Sequence, residues 1–271
     1  MLHINFYFWL LPCVLISTMI STQYDNNTVL FCYGKVNPSH IKHYSTVILE
    51  SAQFTTAEIK LIKSSNKNVL SYISLGEINK TSKYYKELKN FTLGKNKNWE
   101  SYYLDIKSEK TKKVLQSAIQ ESINKGFDGM FLDNIDNYSK FGPQKEDGKD
   151  LVQFLKILSE KFKSKQFIQN AGLDFLPETN KYVSGVVVES VASDYSFNTK
   201  KYGLRVEDDF KARLKTIRDA SIKYKINFIL VEYADTKSLH DKIVARLSSS
   251  SFDYFIGKIN LQTIPKYTSR K

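Results

Sequence analysis

Five carboxylates, Glu50, Glu77, Asp133, Glu189 and Glu232, each stand at or just after the end of a short apolar run, and the amides Asn134 and Asn170 do the same. Any one of them could cap a helix or lie in a solvated loop. Five acids repeating one position call for more than that, because a buried strand needs no acid at its end. Glycosidic cleavage needs two carboxyl groups facing each other across a groove. One is held protonated to donate to the leaving oxygen, and the other attacks the anomeric carbon or activates water. Asp133 and Glu189 close the fourth and sixth runs, two apart, so their side chains can converge, and they are the expected catalytic pair. Crowding among the acids should raise at least one pKa, as a general acid near neutral pH requires.

Other chemistries find little support. The chain has no GxSxG elbow, P-loop, GxGxxG or HExxH. His40 and His43, three apart in an expected first helix, read as surface residues away from the strand ends. An acid cluster without a histidine on the rim disfavours a transition-metal site, so no metal and no cofactor are expected.

The elements that must position these residues centre on Gly126–Asp136. Gly126 suits a helix C-cap, and Phe127 to Leu132 is short and nearly continuously apolar, as in a parallel strand covered on both faces. Asp128, at its start, belongs to the opposite, structural face; Asp136 is a rim residue or a helix cap. Similar runs fall at Val29–Tyr33, Thr46–Leu49, Val69–Leu75, Gln166–Gln169, Gly185–Val188, Phe228–Val231 and Tyr254–Lys258. Amphipathic stripes separate many of them, for example Val114, Leu115, Ala118, Ile119, Ser122 and Ile123, or Leu151, Phe154, Leu155, Leu158 and Phe162. Eight strands alternating with helices predict an α/β fold, a single (β/α)8 TIM barrel with functional loops at the C-terminal ends of its strands. The connection after strand three, Ile78 to Lys107, is enlarged and carries Tyr84, Tyr85, Phe91, Trp99, Tyr102 and Tyr103. It can wall a sugar site or pack as a subsidiary β-segment at Tyr102–Ile106.

Composition sets the remaining bounds. At 271 residues, 42% hydrophobic and 13% aromatic, the chain fits one barrel and argues against disorder. Its net charge of +12 comes from scattered lysines, without the dense tract or motif that nucleic-acid binding would need. The first 22 residues contain no Lys, Arg, Asp or Glu, and Phe6 to Ile20 is mostly apolar, so residues 1–22 read as a secretory signal and 23–271 as the barrel. Membrane association is expected only if that segment is retained. Loss of Cys13 with it leaves Cys32 unable to form an intrachain disulfide, and acceptor patterns at Asn26, Asn79, Asn90 and Asn137 suit a secreted glycoprotein. The expectation is a secreted monomer whose partner is a polysaccharide substrate.

Four segments in order carry a resemblance: Val69-Leu70-Ser71-Tyr72-Ile73-Ser74-Leu75-Gly76-Glu77, Gly126 through Asp136, Gln169-Asn170-Ala171-Gly172 and Val188-Glu189-Ser190. The chain resembles, over about residues 28–262, the endo-α-1,4-polygalactosaminidase family of glycoside hydrolases. The resemblance implies a secreted (β/α)8 enzyme cutting within α-1,4-linked galactosamine or N-acetylgalactosamine polymers, with Asp133 as nucleophile and Glu189 as acid/base. It places Tyr72, Glu77, Asn134 and Asn170 on the sugar subsite, with Glu232 where relatives often show an Asp-Tyr pair; Glu50 joins them from its place on the rim. A +12 protein repels a cationic polymer beyond the screening length of about 8 Å, and an acidic mouth would reverse this locally. The alternatives are a non-catalytic carbohydrate-binding barrel of the same fold and adhesion through the lysine surface. Retention or inversion is set by the carboxyl separation, about 5 Å against 6.5–9.5 Å.

Overall fold

A computed structural model describes residues 29–267; the expected signal segment, Cys13 and the Asn26 pattern lie outside the described residues. The strands are β1 (Val29–Cys32), β2 (Thr46–Leu49), β3 (Asn68–Ser74), β4 (Glu77–Asn79), β5 (Thr92–Asn96), β6 (Ser101–Leu104), β7 (Gly129–Asp133), β8 (Gln166–Asn170), β9 (Gly185–Glu189), β10 (Ser193–Ser196), β11 (Lys201–Leu204), β12 (Asn227–Tyr233) and β13 (Asp253–Gly257). The helices are α1 (Thr56–Lys63), α2 (Tyr85–Leu88), α3 (Glu109–Lys125), α4 (Gly148–Lys161), α5 (Leu176–Thr179), α6 (Glu207–Tyr224) and α7 (Lys237–Leu247).

One eight-stranded sheet runs β1-β2-β3-β7-β8-β9-β12-β13 with every pair parallel. The Tyr33 N–H donates to the Leu261 carbonyl at 2.7 Å, and the Phe31 ring lies 5.5 Å from that of Phe255. Those contacts bring the two edges together, giving a nearly closed (β/α)8 barrel. The eight expected strands are all present, with no end shifted by more than two residues.

Alternation along the strands divides the core in two. Phe31, Phe131, Ile168, Val187, Ile229, Val231 and Phe255 fill the interior cluster. Met130, Leu132, Phe167, Val186, Val188, Phe228 and Leu230 point the other way and pack with the helices. The expected stripes meet this outer layer: Val114, Leu115 and Ile119 from α3, then Leu151, Phe154, Leu155 and Leu158 from α4. Full burial of each large apolar side chain contributes about 1.5–3 kcal/mol. Helix α3 starts at Ser108, whose hydroxyl accepts from the Thr111 N–H, and stops at Gly126, where φ is 110°. Asp128 is structural, as read: it accepts from the Val69 N–H at 2.9 Å and pairs with Lys63 at 2.6 Å.

Three features depart from the sequence reading. His40 and His43 are exposed, but they do not share a helix: Pro38–His40 is a single 3-10 turn and His43 has a φ of 67°. Proline fits the first turn but nothing propagates it, and no apolar stripe rewards extension. After β8 only the four-residue α5 stands where a full helix would be. A second insertion, the hairpin β10–β11, follows β9 and was not expected, whereas the enlarged connection after β3 forms the expected subsidiary β-structure, a three-stranded antiparallel sheet ordered β4-β6-β5.

Candidate active site

Three neighbouring barrel strands end on the same device. Asp133, Asn170 and Glu189 terminate β7, β8 and β9, and the next residues, Asn134, Ala171 and Ser190, have φ of 61°, 55° and 55°. A left-handed residue breaks the strand at once. By alternation with Phe131, Ile168 and Val187, all three terminal side chains have interior parity and reach into the mouth.

There a single amide joins the two acids. Asn170 Nδ2 donates to Asp133 Oδ1 and to Glu189 Oε1, each at 2.7 Å. Two oxygens bound to one nitrogen at that distance lie no farther apart than twice it, short of the 6.5–9.5 Å of inverting glycosidases and compatible with the closer pair, about 5–5.5 Å, of retaining ones. Asp133 accepts further from the Tyr72 hydroxyl at 2.8 Å and the Asn134 N–H at 2.8 Å. Glu189 accepts from the Tyr233 hydroxyl. Tyr33 packs against Tyr72 with centroids 4.7 Å apart and planes tilted by 49°, extending an aromatic floor.

The environment separates the two carboxyls. Burial, and then the Asp133 charge, push Glu189 up to about 7. Burial also raises Asp133, but hydrogen bonds from Asn170, Tyr72 and Asn134 oppose it. Glu189, with two donors, is therefore the better placed of the pair to hold a proton near neutral pH, and Asp133, with three, the better placed to carry the charge. Desolvation raises Tyr33, Tyr72 and Tyr233 well above the ordinary phenol range, keeping their hydroxyls as donors. Asp136 keeps solvent contact on the rim, yet partial desolvation by its surroundings and the Asp133 charge push it up to about 6.

The remaining expected ligands divide. Tyr72 and Asn170 touch the acids directly. Glu50, raised by burial, acts electrostatically on Tyr33 and Tyr72 from the end of β2. The Asn134 side chain is engaged by Ser74, whose hydroxyl donates to Oδ1 at 2.6 Å, so it fixes the turn after Asp133. Gly76 lies against that turn: an added Cβ would stand 2.8 Å from Asn134 Cβ.

Glu77 and Glu232 are corrected. Glu77 is buried and accepts from Asn96, Ser101 and Asn137, tying the insertion sheet to the loop after β7. Glu232 is 0% exposed and accepts from the Val191, Ala192 and Ser193 N–H groups and the Ser193 hydroxyl at 2.6–3.1 Å. With its acceptors filled it cannot bind sugar. The Asn137 acceptor pattern is likewise sealed, since that amide is buried on Glu77. Tyr33, Tyr233 and the hairpin β10–β11 were missed. Parity signalled both tyrosines: Tyr233 alternates in register with Val231 and Tyr33 with Phe31, whereas Glu232 alternates with the outward Leu230.

A (β/α)8 barrel with a bridged carboxylate pair on its C-terminal rim defines a glycoside-hydrolase type of site. The chain belongs to glycoside-hydrolase family GH114, whose sequence profile matches residues 20–271. The "Uncharacterized protein MJ1477" of Methanocaldococcus jannaschii is 26% identical over 215 residues, covering 71% of this chain and 59% of that relative, so the chain spans about three fifths of its length. The fold is similar to that of the glycoside hydrolase domain of PelA from Pseudomonas aeruginosa, with a TM-score of 0.78 at 23% identity, covering 88% of this chain and 96% of that one. It is also similar to Aspergillus fumigatus Ega3, solved in complex with galactosamine, with a TM-score of 0.66 at 16% identity over 86% and 90% of the two chains. Among the described residues, no helix is long and apolar enough to cross a membrane.

Proposed function

We propose that the chain is a secreted, endo-acting, retaining glycosidase cleaving α-1,4-linked galactosamine or N-acetylgalactosamine polysaccharide. The observation that carries this reading is the Asn170 amide donating to both Asp133 and Glu189 at 2.7 Å. The acidic mouth suits amino sugars, and galactosamine is the ligand named for Ega3.

In the first step the Asp133 carboxylate attacks the anomeric carbon. The bond to the glycosidic oxygen breaks, and that oxygen takes the Glu189 proton, leaving a glycosyl ester on Asp133. With its proton gone, the Glu189 carboxylate accepts a proton from water as the water oxygen attacks the same carbon. The ester bond breaks, Asp133 regains its charge and Glu189 its proton. Two displacements at one carbon retain configuration. Tyr72 and Asn170 hold Asp133 in line, and Tyr233 holds Glu189.

Incubation of the protein with partly deacetylated α-1,4-galactosaminan, followed by mass spectrometry and NMR of the fresh reducing ends, tests the reading. Internal oligosaccharides with α ends are expected. An absence of cleavage, or β ends, overturns the corresponding part. The pH profile of kcat/KM should be a bell, falling above about 7 as Glu189 loses its proton and falling in acid as Asp133 gains one.

A further inference from the structure

The two insertions rise from the barrel rim and meet at their tips. The sheet β4-β6-β5 follows β3 and the hairpin β10–β11 follows β9, the third and sixth of the eight barrel strands, so they stand on opposed sectors of the mouth. Trp99, in the β5–β6 turn, meets Phe197, in the β10–β11 turn, with centroids 5.1 Å apart and planes at 80°. Tyr195 continues the series behind Phe197 at 5.1 Å, and Tyr202 packs on Tyr195 at 4.8 Å.

Each arm is anchored by a buried acid, the first just beneath its tip turn and the second at its root. Glu77 binds Asn96 and Ser101 in the first, and Glu232 binds the backbone that opens the second. Yet the tips themselves are not sealed: Trp99 is 48% and Phe197 39% exposed. A contact formed only to stabilise the arms would bury these rings, whereas here ring area is left open to solvent at the tips of two rim insertions. Their charged neighbours differ in sign from the floor. Lys97, Lys200 and Lys201 are exposed in or beside the same two turns, and Lys95 pairs with Glu100, while the mouth below holds Asp133, Asp136, Glu189 and Glu50.

We propose that Trp99 and Phe197, which clamp the two insertions together, also offer their exposed ring faces as a platform for an uncharged, N-acetylated hexosamine ring of the polymer, away from the point of cleavage. The rings supply flat apolar area for the sugar face, and the lysine collar disfavours an ammonium-bearing ring there. The floor has the opposite preference. The enzyme would then read acetylation at two positions with two signs of charge. This rests on the galactosaminan reading given above.

Tryptophan content gives a direct test. The chain has two tryptophans, Trp9 and Trp99, so full-length W9F carries Trp99 alone. In a W9F/E189Q background, which silences turnover, long α-1,4-galactosamine oligosaccharides, fully acetylated or fully deacetylated, are titrated by calorimetry and by tryptophan emission. Acetylated chains should shift Trp99 emission saturably, and F197A, read by emission, and W99A, read by calorimetry, should each weaken their binding about tenfold, a loss of about 1.4 kcal/mol. Deacetylated chains should shift the emission less. Calorimetric binding with silent Trp99 emission and unchanged affinity in both variants overturns the platform, as does a stronger response to deacetylated chains or no binding at all. Parallel cleavage by the wild type separates the two readings: cleavage without a platform response sinks the platform alone, and failure of both sinks the substrate as well.

Discussion

Two pairs of carboxylates on one rim have opposite fates. Glu77 and Glu232 are buried, and their acceptors are filled by groups that anchor the two insertions. Asp133 and Glu189 are partly open, share one amide between them, and sit close enough for each charge to perturb the other. A carboxylate sealed among fixed donors is a structural part, whereas one left partly open beside a like-charged neighbour remains available to a substrate. The largest effects should come from the second pair. Asp133→Asn and Glu189→Gln should each lower kcat/KM on galactosaminan by roughly 10³-fold or more while leaving the circular dichroism spectrum unchanged. Retention of activity in either would place the chemistry elsewhere.

For the structural pair the order reverses: stability should fall first, and activity only through it. Glu232 accepts two N–H groups on one oxygen and an N–H with a hydroxyl on the other, and none of the three amides can rotate away. Glu232→Gln sets an amide NH2 against these donors and should cost about 3 kcal/mol in urea unfolding. Glu77→Gln should cost about 1 kcal/mol, because the Asn96 and Asn137 amides can turn to offer oxygen. Equal losses in the two variants would remove the distinction.

This contrast shows what the sequence could and could not reveal. Eight strands, the α3 and α4 stripes and the Gly126 cap were legible because periodicity and a left-handed glycine act locally. Asp133, Asn170 and Glu189 were legible because each ends a strand on the same face. Glu232 was misread for a physical reason: ending a strand does not fix which way a side chain points, and one step of alternation sends it outward while Tyr233 turns in. What catches Glu232 is the hairpin root some 40 residues earlier, a contact no local pattern encodes. The Trp99–Phe197 contact is equally non-local.

The proton on Glu189 gives a pH-resolved effect. Its carboxyl ionises near 4.5 when unfolded and near 7 when folded. Between those values the folded state binds the extra proton, so this group lowers stability as pH rises through the window and adds no further dependence above it. Glu189→Gln removes the dependence. The stability of the variant relative to wild type should rise by about 3 kcal/mol as pH passes from below 4.5 to above 7 and be level outside that window, whatever fixed offset the new amide brings. A difference flat across that window would show that Glu189 ionises normally and cannot be the acid.

The smallest expected effect concerns the turns that aim these side chains. Asn134, Ala171 and Ser190 share the left-handed conformation, yet asparagine tolerates it and alanine does not, at about 1 kcal/mol relative to glycine. Ala171→Gly relieves that cost while giving the unfolded chain more freedom, so a net gain of about 0.5 kcal/mol in urea unfolding is expected. Asn170 immediately precedes it and holds both acids, so a looser turn should lower kcat even as stability rises. Opposite signs in stability and kcat would identify strain at Ala171 as what keeps Asn170 in place. A gain in both would show that Asn170 is held by its two carboxylates alone.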